Sequence, residues 1–209
     1  MFNLAIDSKL RGCDVVRLKV EGTRFEPVGP TLVSTWIGAE PTGLTKRVHR
    51  RPPVLLSGLP AGGLNAYRAA HPGAGAGELF SAIQTDWYWR IPAVRLADAH
   101  AMTARASTYM YEFAWRSPQF GGRLGAAHAV EIPFVFDTLG LGTEPLLGPD
   151  PPQLLATAMH AAWVAFAATG DCGWPKFDLD RRPTMHFDTA SEVMDDPLAP
   201  KLALWKGVR

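Results

Sequence analysis

Gly125-Ala126-Ala127-His128-Ala129-Val130-Glu131-Ile132-Pro133-Phe134-Val135-Phe136 sets two polar side chains in a frame of small and apolar residues. Glycine and alanine beside an imidazole let it come close to other groups, which suits a general base that needs a short hydrogen bond to a nucleophile. By spacing alone, the same stretch also describes a core histidine satisfied by Glu131 three residues on. What surrounds it decides between the two.

Upstream, Tyr109, Tyr111, Phe113 and Trp115 alternate with smaller or polar residues, so Thr108 to Trp115 reads as a strand with an aromatic face. Ser117-Pro118 breaks that strand, and Gly121-Gly122 opens the loop that presents His128. Downstream, Asp150-Pro151-Pro152-Gln153 reads as a helix start with Asp150 as N-cap. The helix runs to about Thr169, with Leu155, Met159, Trp163 and Phe166 forming one apolar stripe and Gly170 supplying the stop. That stripe is read as core packing. Pro183 to Asp188 is a short strand candidate, with His186 as a surface residue of it. His160 falls within the closing helix, and His49, His71 and His100 have no motif around them.

The order of these pieces resembles the type-B carboxylesterases, α/β-hydrolases that include the para-nitrobenzyl esterases and the cholinesterases. The resemblance rests on Gly-x-x-His-x-x-Glu at 125–131 with its Phe-rich run. It also rests on Thr85-Asp86 through Pro92 and Arg95, on Thr108 to Trp115, and on Trp163 to Asp171 with Trp174-Pro175. It covers residues 61–209; residues 1–60 carry little of it and are poorly assigned. It implies an α/β chain, the C-terminal portion of an α/β-hydrolase with the last sheet strands, their packing helices and an incomplete sheet. His128 would be the acid–base histidine of a Ser-His-Glu triad acting on a small-molecule ester.

The nucleophile of that family stands in a Gly-x-Ser-x-Gly elbow, where glycines let the hydroxyl clear the backbone. None of the seven serines has that frame. Leu56-Ser57-Gly58 comes nearest, lacks the leading glycine and a following helix, and reads as a turn. In these hydrolases the order is nucleophile, acid, then histidine, so the chain reads as the carboxy-terminal third of a longer enzyme, without nucleophile or oxyanion hole. Glu40 is the candidate for the family acid, although its neighbours do not match. Glu131 is expected to hold backbone or a neighbouring polar group. Two functions follow: an ester hydrolase portion inactive by itself, or a non-catalytic module that complements a separate hydrolase chain.

Composition agrees with a globular chain, since 209 residues with 47% hydrophobic and 20% charged side chains can bury a sizeable core. Formal net charge is +1, but residues 1–60 hold nine Lys or Arg against five acids. The densest basic run, Lys46-Arg47-Val48-His49-Arg50-Arg51, ends in Pro52-Pro53 and lacks the interleaved aromatics of a nucleic-acid surface, so it reads as a solvated turn. Cys13 and Cys172 are too far apart in sequence to define a metal motif or a disulfide framework. Neither a signal-peptide pattern nor a membrane-length apolar run is present, which makes a cytoplasmic product the expectation, with no cofactor and no metal. Leu18 to Val28 is a strand candidate, and Phe25-Glu26-Pro27-Val28 faintly matches a segment before the family acid. A truncation or frame change would explain residues 1–60. Loss of the preceding strands would leave a sheet edge open to self-association.

Overall fold

The computed structural model describes residues 62–103 and 106–208, together with Leu59 and the backbone of the strand Thr31–Trp36. Glu40, Ser57, Cys13, the basic run at 46–51 and the strand candidate at 18–28 lie outside the described residues. Four strands form one sheet in the order β1 (Thr31–Trp36), β2 (Thr108–Phe113), β3 (Pro183–Phe187), β4 (Glu192–Asp195). The first three are parallel; β4 returns antiparallel on β3.

β2 is buried at every position, as a parallel strand covered on both faces should be. Its odd-numbered side chains are the aromatic face read from the sequence. Tyr109, Tyr111 and Phe113 share a core with Phe134, Leu155, Met159 and Phe187. They meet that core at ring edges: Tyr111 lies 4.8 Å from Trp163 and Phe113 lies 5.5 Å from Phe134 between centroids, distances at which tilted aromatic pairs attract. Met110, on the other face, packs with Val94, Ala97, Phe177 and Leu198. The strand ends at Phe113, two residues before the expected Trp115. Past that point the amides of Ala114 and Trp115 both turn to the carbonyl of Phe187.

Upstream, α1 (Gly63–Ala70) and α2 (Ala76–Thr85) lead into α3 (Ile91–Ala101), which covers that second face through Val94 and Ala97, and α2 and α3 are joined by a π turn at Asp86–Arg90. The amide of Ile91 reaches back five residues to the carbonyl of Asp86. Pro92 explains the wide turn: it has no N–H for a fourth-residue bond, and its ring would crowd the carbonyl of Tyr88. The extra residue brings Asp86 and Arg90 inward together, both nearly inaccessible to solvent. Asp86 accepts from the Tyr67 hydroxyl at 2.6 Å, pairs with Arg90, and has the Lys201 ammonium at 3.3 Å. Arg90 in turn faces Glu112 of β2 at 3.4 Å. Trp205 donates its indole N–H to the Tyr67 oxygen at 2.8 Å, tying in the C-terminal helix α7 (Ala199–Leu204).

His186 corrects the sequence reading. It is a half-buried strand residue directly opposite Glu112 in the β2–β3 register, its Nδ1 3.5 Å from that carboxylate. Glu112 raises the imidazole above its ordinary range, with Asp188 and Glu192 adding to the pull against burial.

Asp86→Asn is expected to destabilise the chain by about 3–5 kcal/mol, because it leaves Arg90 and Lys201 short of their shared anion; urea denaturation measures it. A raised histidine stabilises the fold fully at pH below its unfolded value, and that stabilisation disappears as pH rises through its folded value. Urea midpoints of wild type should therefore fall relative to His186→Gln as pH is taken upward from 6.5, and parallel profiles for the two proteins would contradict the pairing.

Candidate active site

Strands β1, β2 and β3 are parallel, so their carboxyl ends share one side of the sheet, the side where loops of open α/β sheets carry reacting groups. The chain leaves β2 there and forms the loop that holds His128. A bridge between Ser117 and Gly125 closes the base of that loop, with the Ser117 amide 3.2 Å from the Gly125 carbonyl. Gly125 has φ 61, and a Cβ there would come to 3.4 Å from the Arg116 guanidinium; the position calls for glycine.

The small residues are the buried part of the loop, not its opening. Ala126 and Val130 are inaccessible, while His128 between them is exposed. A one-turn reversal produces that inversion: the Val130 amide bonds the Ala127 carbonyl at 3.2 Å, and Ala129 takes the left-handed conformation at φ 71. His128 is thus no core histidine. Short helix α4 (Ile132–Val135) follows at once and plugs the loop into the core through fully buried Phe134.

Two further contacts fix α4. His160, from the long helix α6 (Gln153–Thr169), lies with Nδ1 3.0 Å from the Val135 carbonyl; a carbonyl only accepts, so that nitrogen carries the proton. Gln153 donates to the Asp137 carboxylate at 2.6 Å. The sequence had placed His160 within the helix without a task. α6 itself begins at Gln153 with Pro152 as N-cap, and no side chain caps it, so Asp150 is not the cap. Pro152 forces the preceding Pro151 into an extended conformation, which rules out a helix starting from Asp150. Gly170, at φ 76, ends the helix where expected.

Glu131 goes inward. It is buried, accepts backbone hydrogen bonds from itself and Ala129, and its Oε2 has no hydrogen-bond partner among the described residues. Burial pushes its carboxyl up to about 7, against which the two backbone bonds pull. The backbone role expected of it holds for part of the carboxyl group. Ser117, the serine bridged to this loop, is fully buried and donates at 2.7 Å to the carbonyl of Leu146 in the short helix α5 (Glu144–Leu147); a hydroxyl so placed does not reach a substrate. Cys172 is buried and its thiol is pushed up to about 12, far from a thiolate nucleophile. Among the described residues no cluster of three metal-ligating side chains occurs, and no helix is long and apolar enough to cross a membrane.

A carboxyl whose folded value lies above its unfolded one stabilises the fold at pH below the unfolded value, and that contribution is lost as pH rises through the folded value. For Glu131 the window runs from 4.5 to about 7. Glu131→Gln should remove this loss and gain on wild type by on the order of 3 kcal/mol at pH 8 relative to pH 4. Urea unfolding across that range reads the difference.

The fold and loop have counterparts among known proteins. The model of the carboxylesterase family matches residues 67–205. The para-nitrobenzyl esterase of Bacillus subtilis (strain 168) is 33% identical over 124 residues, covering 54% of this chain and 24% of its own length. The phenmedipham hydrolase of Pseudarthrobacter oxydans is 32% identical over 149 residues, covering 65% of this chain and 30% of its own. The crystal structure of a Geobacillus stearothermophilus carboxylesterase at pH 6.2 superposes with a TM-score of 0.62 at 33% identity, over 71% of this chain and 32% of that one. The chain thus spans about a quarter to a third of the length of these relatives. With two thirds of its residues inside the family's pattern and its sheet and helices superposing on a solved member, this chain belongs to the carboxylesterase family.

Proposed function

We propose that the chain supplies the histidine-bearing part of a carboxylic-ester hydrolase and that His128 is its general base and acid. The observation that carries this reading is the loop itself: an exposed imidazole on the carboxyl side of a parallel sheet, between buried alanine and valine, in a chain of this family. In the reaction, His128 would accept the proton of a serine hydroxyl as that oxygen attacks the ester carbonyl. It would then return the proton to the leaving alcohol, and repeat both transfers with water to release the acid.

The serine has to come from elsewhere in the fold. The sequence contains no Gly-x-Ser-x-Gly elbow, and Ser117 is engaged with a backbone carbonyl. The oxyanion donors that stabilise the tetrahedral intermediate would come with that serine. Glu40 is our candidate for the triad acid. The relatives' names, a para-nitrobenzyl esterase and a phenmedipham hydrolase, support small aromatic ester-like substrates.

The purified 209-residue chain should hydrolyse p-nitrophenyl butyrate no faster than His128→Ala, and a fluorophosphonate probe should label neither. Combined with a serine-bearing esterase portion that restores turnover, His128→Ala should cut kcat by about 10,000-fold or more. Labelling of the isolated chain with turnover lost in His128→Ala would show that one of its own serines is the nucleophile.

A further inference from the structure

A helix as short as α4 does not hold itself in water; it keeps its shape through what packs on it and what caps it. Its hydrogen bonds show where it depends on a neighbour. The carbonyls of Glu131, Ile132, Pro133 and Phe134 each accept a backbone amide, from Val135, Phe136, Thr138 and Asp137 in turn. The Val135 carbonyl is the exception. Among the described residues it accepts no backbone amide, and the His160 imidazole reaches it at 3.0 Å. Val135 is buried, so water is a poor substitute for that donor and an unpaired carbonyl there is costly.

His160 stands on a firm support, because Leu155, Ala156 and Met159 anchor α6 in the core. α6 carries no Asp, Glu, Lys or Arg, yet Gln153 and His160, about two helical turns apart, both direct their side chains to the α4 segment, one to Asp137 at 2.6 Å and the other to Val135. The Gln153 bond is exposed, where competition from water leaves it little net effect. The His160 bond ends on a buried residue and is the stronger tie.

α4 is continuous with the loop of His128. The Val130 amide bonds the Ala127 carbonyl at 3.2 Å, the Ile132 amide bonds the Ala129 carbonyl at 3.3 Å, and the Phe134 and Val135 amides bond the Glu131 carbonyl at 3.0 Å. One run of turns therefore joins the carbonyl that His160 holds to the residues on either side of His128. A shift of α4 along α6 moves the imidazole with it.

We propose that His160 is a positioning residue for His128: its Nδ1–H holds the end of α4 on α6 and thereby fixes where the imidazole stands. The proposal rests on the role given to His128 and assigns His160 no contact with substrate. Reacting groups tolerate little misplacement, a shift of about 1 Å costing about a hundredfold in rate.

Two variants of the full chain separate the hydrogen bond from packing. His160→Phe keeps a ring and removes the donor, and His160→Asn keeps an amide N–H close to the Nδ1 position. The readouts are amide hydrogen exchange at Val130, Ile132 and Phe134 and the NMR signal of the His128 ring, identified by its loss in His128→Ala. In His160→Phe exchange at those amides should rise about tenfold or more relative to β2, the His128 signal should shift, and His160→Asn should restore both. Exchange and a His128 signal that ignore His160→Phe overturn the proposal, as does a change that His160→Asn fails to restore. Nitrogen NMR of the wild-type chain at pH 8 decides without any variant: a His160 proton on Nε2 instead of Nδ1 overturns it. With a serine-bearing esterase portion that restores turnover, His160→Phe should lower kcat about tenfold or more with KM within about twofold, and an unchanged kcat would refute the positioning role. Turnover that ignores His128→Ala would remove the role of His128, while the exchange and NMR of the chain alone still decide whether His160 holds the loop.

Discussion

One buried carboxylate ties the helices beside the second face of the sheet to one another and to the C-terminus. Asp86 holds a phenol, a guanidinium and an ammonium drawn from α1, the π turn and α7. A lone carboxylate at that depth would be prohibitive, and two cations with a hydroxyl donor make it tolerable. The consequence is long-range order. Residues 67, 86, 90, 112, 201 and 205 are held in one arrangement, so the C-terminal helix cannot leave without uncovering a charge. Tyr67 shows the local field: burial and Asp86 hold its phenol well above its usual range.

On the first face the organising force is apolar and aromatic, and it ends at the loop of His128. Phe134 is the hinge between packing and chemistry. It touches Phe113 and Trp115 across the core and, six residues from His128, sets where the loop leaves the surface. The His160 bond to the Val135 carbonyl removes sliding of α4 along α6. The imidazole is therefore presented by a backbone fixed on three sides, by the Ser117–Gly125 bridge, by Phe134 and by His160.

Strong periodicity made much of this legible. The alternating aromatics of β2 and the Leu155, Met159, Trp163, Phe166 stripe of α6 are repeated signals, and both fall on the core as read. Single-residue signals fared less well. Asp150 has the chemistry of an N-cap, but Pro151 before Pro152 is denied helical geometry, so the helix starts later. Pro92 entered the sequence reading only as part of the family resemblance; that it widens the preceding turn and thereby buries Asp86 and Arg90 depends on three-dimensional partners no local pattern encodes. His186 was read as a surface residue of a short strand, while its true partner, Glu112, is 74 residues away in sequence. The small, apolar frame around His128 was legible, but the inversion that leaves the histidine outside follows from Ala129 in a left-handed conformation, which alanine seldom signals.

The edge of the sheet at β4 bears on association. β4 is exposed along its length and bears Glu192 and Asp195, the latter paired with Arg181 at 3.0 Å. Charged side chains along a short edge strand discourage pairing with another strand. Exposed apolar surface lies instead on α6 and α4, at Leu154, Ile132 and Phe136, where helix formation already engages the backbone. Contact there would be made by side chains meeting side chains, a mode that requires a partner of matching shape rather than any free strand. Ile132 and Phe136 follow the loop of His128 directly in sequence, so this surface begins beside the candidate site.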